Sequence, residues 1–193
     1  EGLTASVTRR VIVTAAERPS TVVPEGRTVY LTFDDGPSAN TERLLDTLDA
    51  YGVKATFFVT NCNEDYTGCI GEIARRGHTV AIHSATHDYH AIYQSEEAYF
   101  ADLCRMQEII FEQTGEYARL VRFPGGSSNT VSCYNPGIMS RLTSDLNDMG
   151  YAYFDWNVSA ADTASNATRY TVIENIKEGV PQHDYSVVLQ HDT

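Results

Sequence analysis

Two histidines four residues apart, His83 and His87 in the run His-Ser-Ala-Thr-His, and two adjacent acids, Asp34 and Asp35 in Thr-Phe-Asp-Asp-Gly-Pro, are the side chains of this sequence best placed to do chemistry. Imidazoles at that spacing can meet one metal ion if the chain turns after a strand. The pair alone carries little. An isolated His-x3-His is more often surface or core histidine, and here the Glu that follows the first His in zinc proteases is absent. A carboxylate changes the balance, because two His and one Asp make a facial ligand set that leaves positions for water and substrate. Adjacent carboxylates repel, so burying Asp34 beside Asp35 needs a compensating cation. Neighbours in a regular strand point to opposite faces, but Gly36-Pro37 breaks the strand and would let both acids reach one site. The competing reading is an acidic turn that caps the following helix through Ser38 or Thr41.

These residues need elements to position them. From Val29 onward, short β-branched or aromatic runs alternate with longer helical patterns, as in βα units around a parallel sheet. The runs predict six strands, at 29–33, 55–59, 79–83, 120–123, 151–156 and 186–190. Leu44, Leu45 and Leu48 mark one helical face, and Met106, Ile109 and Ile110 another within 96–115. Gly52, Gly77, Gly115 and Gly150 fall where left-handed helix caps belong. The fold class is α/β, a (β/α) barrel that is irregular or short of its last unit, with an open doubly wound sheet as the alternative. Residues 1–28 read as an extension or linker with an accessory strand at Val11-Ile12-Val13 and breaks at Pro19 and Pro24; 29–193 read as the catalytic domain. In both architectures working residues belong at the carboxyl ends of strands. There stand Asp34 and Asp35, His83 and His87, Arg122, Trp156 and His191.

Thr-Phe-Asp-Asp-Gly-Pro, His-Ser-Ala-Thr-His, Arg-Phe-Pro-Gly-Gly, the segment from Trp156 to Asp162 and Leu-Gln-His191-Asp resemble, in order, the five motifs of the polysaccharide deacetylases, carbohydrate esterase family four. The resemblance implies a distorted (β/α) barrel. It implies that Asp35, His83 and His87 bind one divalent metal, zinc foremost, with cobalt, nickel, manganese and iron as alternatives. It implies that Asp34 is the general base oriented by Arg122, and that His191 is the general acid tuned by Asp162. Trp156 would wall the pocket, and the Gly125 N–H would face the oxyanion. The physical logic agrees: a divalent metal brings bound water to a pKa of about 7 and polarises a carbonyl, and a base, an acid and a backbone donor complete amide hydrolysis. For Arg122 the bland reading is a surface salt bridge, and for Trp156 it is core packing.

The sequence departs from the family at Gly125, where an aromatic is common, and at Ser159 and Thr163, where an acid and an aromatic are common. These changes touch the groove and leave every proposed ligand in place. Family members usually continue past motif five, so the resemblance implies a chain lacking its last βα unit. The implied reaction is removal of N-acetyl groups from peptidoglycan or chitin-like oligomers. The alternatives are an O-acetyl esterase on xylan or another acetylated glycan, an inactive glycan-binding module, and an aspartyl-phosphate phosphatase, whose acids stand two apart.

The bulk properties fit a glycan partner. A formal charge of -12 with no basic stripe excludes nucleic acid, and no apolar run is long enough to span a bilayer. One domain is expected from 193 residues, as a monomer. Glu1 in place of an initiator Met suggests a removed leader or anchor and an extracellular or cell-surface location. Of four cysteines, Cys62 and Cys69 are the expected disulfide partners across a polar turn, with unpaired thiols as the alternative. His78, His90 and His183 match no motif and read as surface residues.

Overall fold

The computed structural model describes residues 26–193; the expected accessory strand and the linker prolines lie outside them. Among the described residues seven strands form one parallel sheet: β1 (Thr28–Asp34), β2 (Thr56–Thr60), β3 (Thr79–Ser84), β4 (Leu120–Val121), β5 (Ala152–Tyr153), β6 (Val158–Ser159) and β7 (Tyr185–His191), in the order β5-β4-β3-β2-β1-β7-β6. The helices are α1 (Thr41–Ala50), α2 (Cys69–Arg75), α3 (Tyr89–Ile92), α4 (Glu96–Thr114), α5 (Ile138–Asp148) and α6 (Arg169–Gly179).

The sequence expectation of a single strand over 151–156 is corrected. Within that run only Ala152–Tyr153 form a strand, β5, which pairs with β4; β6 begins two residues beyond the run and pairs with β7. This pairing dictates the shape. β5 and β6 occupy opposite edges of the strand order, yet only residues 154–157 join them. In a flat sheet six inter-strand spacings would hold those edges about 29 Å apart, whereas five residue steps reach at most about 18 Å. The sheet therefore curls into an incomplete (β/α) barrel, and the doubly wound alternative is set aside.

The main core lies between the convex face of this sheet and the helices. Leu45 and Leu48 of α1, Ile70 and Ile73 of α2, Met106 and Ile110 of α4, and Leu142 and Leu146 of α5 pack with Phe33, Phe57, Val59 and Ile82 from the strands. Helix α4 begins at Ser95, whose side chain accepts from the Ala98 N–H, and stops at Gly115 with φ +75, a backbone state cheap only for glycine. Gly52, Gly77 and Gly150 also carry positive φ, as the sequence predicts.

All four cysteines are free thiols, which corrects the Cys62–Cys69 disulfide. The intervening residues form a 3₁₀ turn at Glu64–Tyr66 and lead straight into α2, which starts at Cys69, while the Cys62 thiol points to the Thr86 carbonyl at 3.4 Å. His78 is also corrected: it is 6% exposed, packs edge-on against Phe57 and accepts the Ala55 N–H on Nδ1 at 3.2 Å.

Candidate metal centre and active site

Strand alternation puts Thr32 and Asp34 of β1 on the concave face, and Asp34 ends the strand at 3% exposure. At Asp35 the backbone turns to φ +70, a conformation uncommon outside glycine, and this brings the second carboxylate toward the same site. Gly36 follows against a wall: a Cβ there would lie 2.5 Å from Asp192 Oδ2. Asp192, itself buried, accepts from Ser38 Oγ at 2.8 Å and Thr41 Oγ1 at 2.6 Å. Those two residues are thus engaged with Asp192, and neither Asp34 nor Asp35 caps α1.

β3 delivers His83, 4% exposed. Its Nδ1–H donates to the Arg122 carbonyl at 2.7 Å, which fixes the ring and leaves Nε2 toward Asp35 Oδ1 at 3.4 Å and Asp34 Oδ2 at 3.9 Å. His87 reaches the same Asp35 oxygen with Nε2 at 3.3 Å, again from a left-handed backbone, φ +52. Candidate ligand atoms of Asp35, His83 and His87 all lie within 4.8 Å of one another.

These residues fit a divalent cation. Among the described residues Asp35 Oδ1 is buried with no hydrogen-bond partner and faces the Nε2 atoms of His83 and His87. Burial alone would raise the Asp35 pKa, but His83, His87 and His191 around it outweigh burial and hold the carboxyl below its usual range. Burial would likewise lower His83, yet Asp34 and Asp35 beside it keep its pKa raised, whereas burial and the neighbouring His83 push His87 down. The cluster attracts one positive charge, and an ion held by the three ligands would supply it.

Arg122 fills the barrel interior and is fully buried. A buried guanidinium needs its donors engaged, and four of the five N–H groups are: Nη1 donates to Asp34 Oδ1 and Thr32 Oγ1, both at 2.7 Å, Nε to the Phe154 carbonyl at 3.0 Å and Nη2 to the Asp155 carbonyl at 3.3 Å. Its plane lies over Phe58, 4.1 Å from the ring centroid. Arg122 is thus no surface salt bridge. Trp156 is half-buried, 5.7 Å from the same guanidinium, and its ring edge lies against Gly126, 3.3 Å from where a Cβ would stand.

On the far side, His191 ends β7. Its Nδ1 is 2.9 Å from Asp162 Oδ1, and its backbone N–H donates to Asp162 Oδ2 at 2.7 Å. That hydrogen bond raises the His191 pKa against the effect of burial, and Asp162 is correspondingly lowered despite its own burial. Gly125, at φ +77, is exposed on the loop after β4, beside Tyr89, whose ring stands edge-on to His87 at 5.1 Å. A cleft of about 370 Å³ opens on this centre, lined by Asp35, Ser38, Cys62, Asn63, His87 and Asp192.

Sequence reasoning missed several of these participants. Asp155 accepts from the Ser127 N–H at 2.9 Å and from its hydroxyl, pinning the loop that carries Gly125. Thr32 and Asp192 stand inside the first and fifth motifs, where the sequence alone gives them no role. Tyr89 carried no signal.

A family model described as polysaccharide deacetylase matches residues 21–153, and the chain belongs to that family, carbohydrate esterase family four. The catalytic domain of peptidoglycan N-acetylglucosamine deacetylase from Eubacterium rectale ATCC 33656 superposes with a TM-score of 0.88 at 54% identity, over 91% of this chain and 81% of that one. A peptidoglycan-N-acetylglucosamine deacetylase of Bacillus cereus is 30% identical across 87% of this chain and 60% of its own length. A chitin deacetylase of Pestalotiopsis sp is 28% identical across 97% and 58%. The chain therefore spans about 60% of the length of such curated relatives.

Proposed function

We propose that this protein hydrolyses N-acetyl groups on an amino-sugar polymer, peptidoglycan foremost and chitin-like oligomers next, in a metal-dependent reaction outside the cytoplasm. The observation that carries the reading is the placement of a candidate metal triad, Asp35, His83 and His87, beside the Arg122-held carboxylate of Asp34, with the Asp162-held imidazole of His191 in the same site. The names of the relatives supply the substrate class.

A divalent ion bound there would supply a nucleophilic water at neutral pH and polarise the acetyl carbonyl. Asp34, aligned by Arg122, would accept the proton of the attacking water. The Gly125 N–H would face the developing oxyanion, and His191, kept protonated by Asp162, would give its proton to the departing sugar amine. Trp156 and Tyr89 would flank the sugar ring.

The test is metal analysis of the purified protein, with acetate release from N-acetylglucosamine oligomers, peptidoglycan and acetylated xylan measured before chelation, after it and on readdition of zinc or cobalt. Activity on the amide substrates that vanishes with the metal is expected. Full activity in metal-free protein, or cleavage confined to xylan esters, would overturn the reading.

A further inference from the structure

His87 reaches the centre only because the chain reverses within four residues of His83, and it does so through a backbone conformation that non-glycine residues adopt only when their surroundings impose it. The imposing group is a carboxylate from another element. Asp102, half-buried on α4, accepts four hydrogen bonds from the three residues after His83. Oδ2 takes the Ser84 hydroxyl at 2.7 Å and the Ala85 N–H at 2.9 Å; Oδ1 takes the Thr86 N–H at 3.0 Å and the Thr86 hydroxyl at 2.8 Å. Ser84 Oγ, its proton committed to Asp102, accepts the His87 N–H at 2.8 Å. The chain of bonds thus runs from the His87 backbone through Ser84 to α4.

We propose that Asp102 is a positioning residue for the metal centre: it fixes the turn that carries His87, and so sets metal affinity without touching the ion. The inference rests on the metal-dependent reading above. The site demands a carboxylate rather than an amide. The Ala85 and Thr86 N–H groups approach different oxygens, so an asparagine, whichever way its amide is turned, sets an NH2 against a backbone N–H that cannot reverse. The two hydroxyls can rotate to adapt; the backbone donors cannot.

The experiment titrates the metal-stripped full chain with Zn2+ and Co2+ by calorimetry. Asp102→Asn is expected to weaken binding by about 10–100-fold, the range for groups that orient metal-bound histidines, and the deficit in acetate release should shrink as metal is raised. Ser84→Ala cuts the link to His87 and should weaken binding in the same direction, with the double variant no worse than the weaker-binding single one, since both act through one chain of bonds. Unchanged affinity in Asp102→Asn alongside a lowered melting temperature would mean that Asp102 only supports the fold, and would overturn the proposal; so would fully additive losses. If Asp102→Asn does not fold, wild-type affinity in Ser84→Ala overturns it instead. A wild type that binds no metal would sink this inference and the metal-dependent reading together, whereas a wild type that binds normally beside an indifferent Asp102→Asn removes this inference alone.

Discussion

Asp162 grips His191 twice, its two carboxylate oxygens taking the ring Nδ1–H at 2.9 Å and the backbone N–H at 2.7 Å. The ring cannot turn without breaking the first bond, and the carboxylate holds the imidazole pKa above its ordinary value, burial notwithstanding. The proposed function makes His191 the general acid, which works only while protonated, so turnover should fall as pH rises through the His191 pKa. Asp162→Asn removes the charge that raises this pKa, and the alkaline limb of the kcat/KM profile should shift to lower pH. A limb that stays in place would separate His191 from the proton transfer.

Asp34→Asn should reduce turnover by about 10²–10⁴-fold, the usual contribution of a positioned base, while metal binding by Asp35, His83 and His87 persists. Calorimetry and acetate release on the same preparation check both halves. Wild-type turnover would remove Asp34 as the base.

Arg122 and Asp34 form a buried pair, at 0% and 3% exposure with a 2.7 Å contact. Arg122→Met leaves the carboxylate buried without its cation, and a buried pair broken this way costs about 3–5 kcal/mol. Urea unfolding of the metal-free protein should show a loss of that size. A loss under about 1 kcal/mol, the level of an exposed pair, would contradict the burial argument.

On the metal-dependent reading, metal should stabilise the fold, because the native centre would bind it whereas the unfolded chain does not hold the ligands together. At a hundredfold excess over Kd the gain is about 2.7 kcal/mol. Differential scanning fluorimetry with zinc and with chelator should show a higher melting temperature in zinc, and Asp35→Asn should abolish the difference.

His78 should make stability pH-dependent. Burial first, then Lys54 and Arg76, lower its folded pKa, with Asp49 opposing, and its Nδ1 must stay unprotonated to accept the Ala55 N–H. Because the folded value lies below the unfolded one, the contribution is complete above about pH 6.5 and is lost as pH falls through the folded pKa. His78→Gln keeps an acceptor without the titration. Between pH 8 and pH 5 its melting temperature should fall less than that of the wild type, and parallel curves would rule the mechanism out.

Much of this was legible because the chemistry-bearing residues sit in contiguous stretches at strand ends. The pair Asp34 and Asp35, the His83 to His87 spacing and His191 are all short-range patterns. The shortening of 151–156 to β5 was not legible, since an apolar run reports burial but not which sheet edge buries it. Asp102 was hidden for a related reason: on a helix its spacing to neighbours reveals only a polar face, and its partners stand on a turn that exists only once β3 and α4 have packed. His78 reads as surface from composition, and only the fold supplies the strand N–H that it accepts.

The four residues between β5 and β6 do more than close the curl. Phe154 and Asp155 lend their carbonyls to Arg122, so the strap that draws the two sheet edges together is also the bracket on which the guanidinium beside Asp34 is mounted. Strap length and the aim of the guanidinium at Asp34 are one mechanical quantity here. One residue more in that segment would slacken the barrel and misaim Arg122 at once.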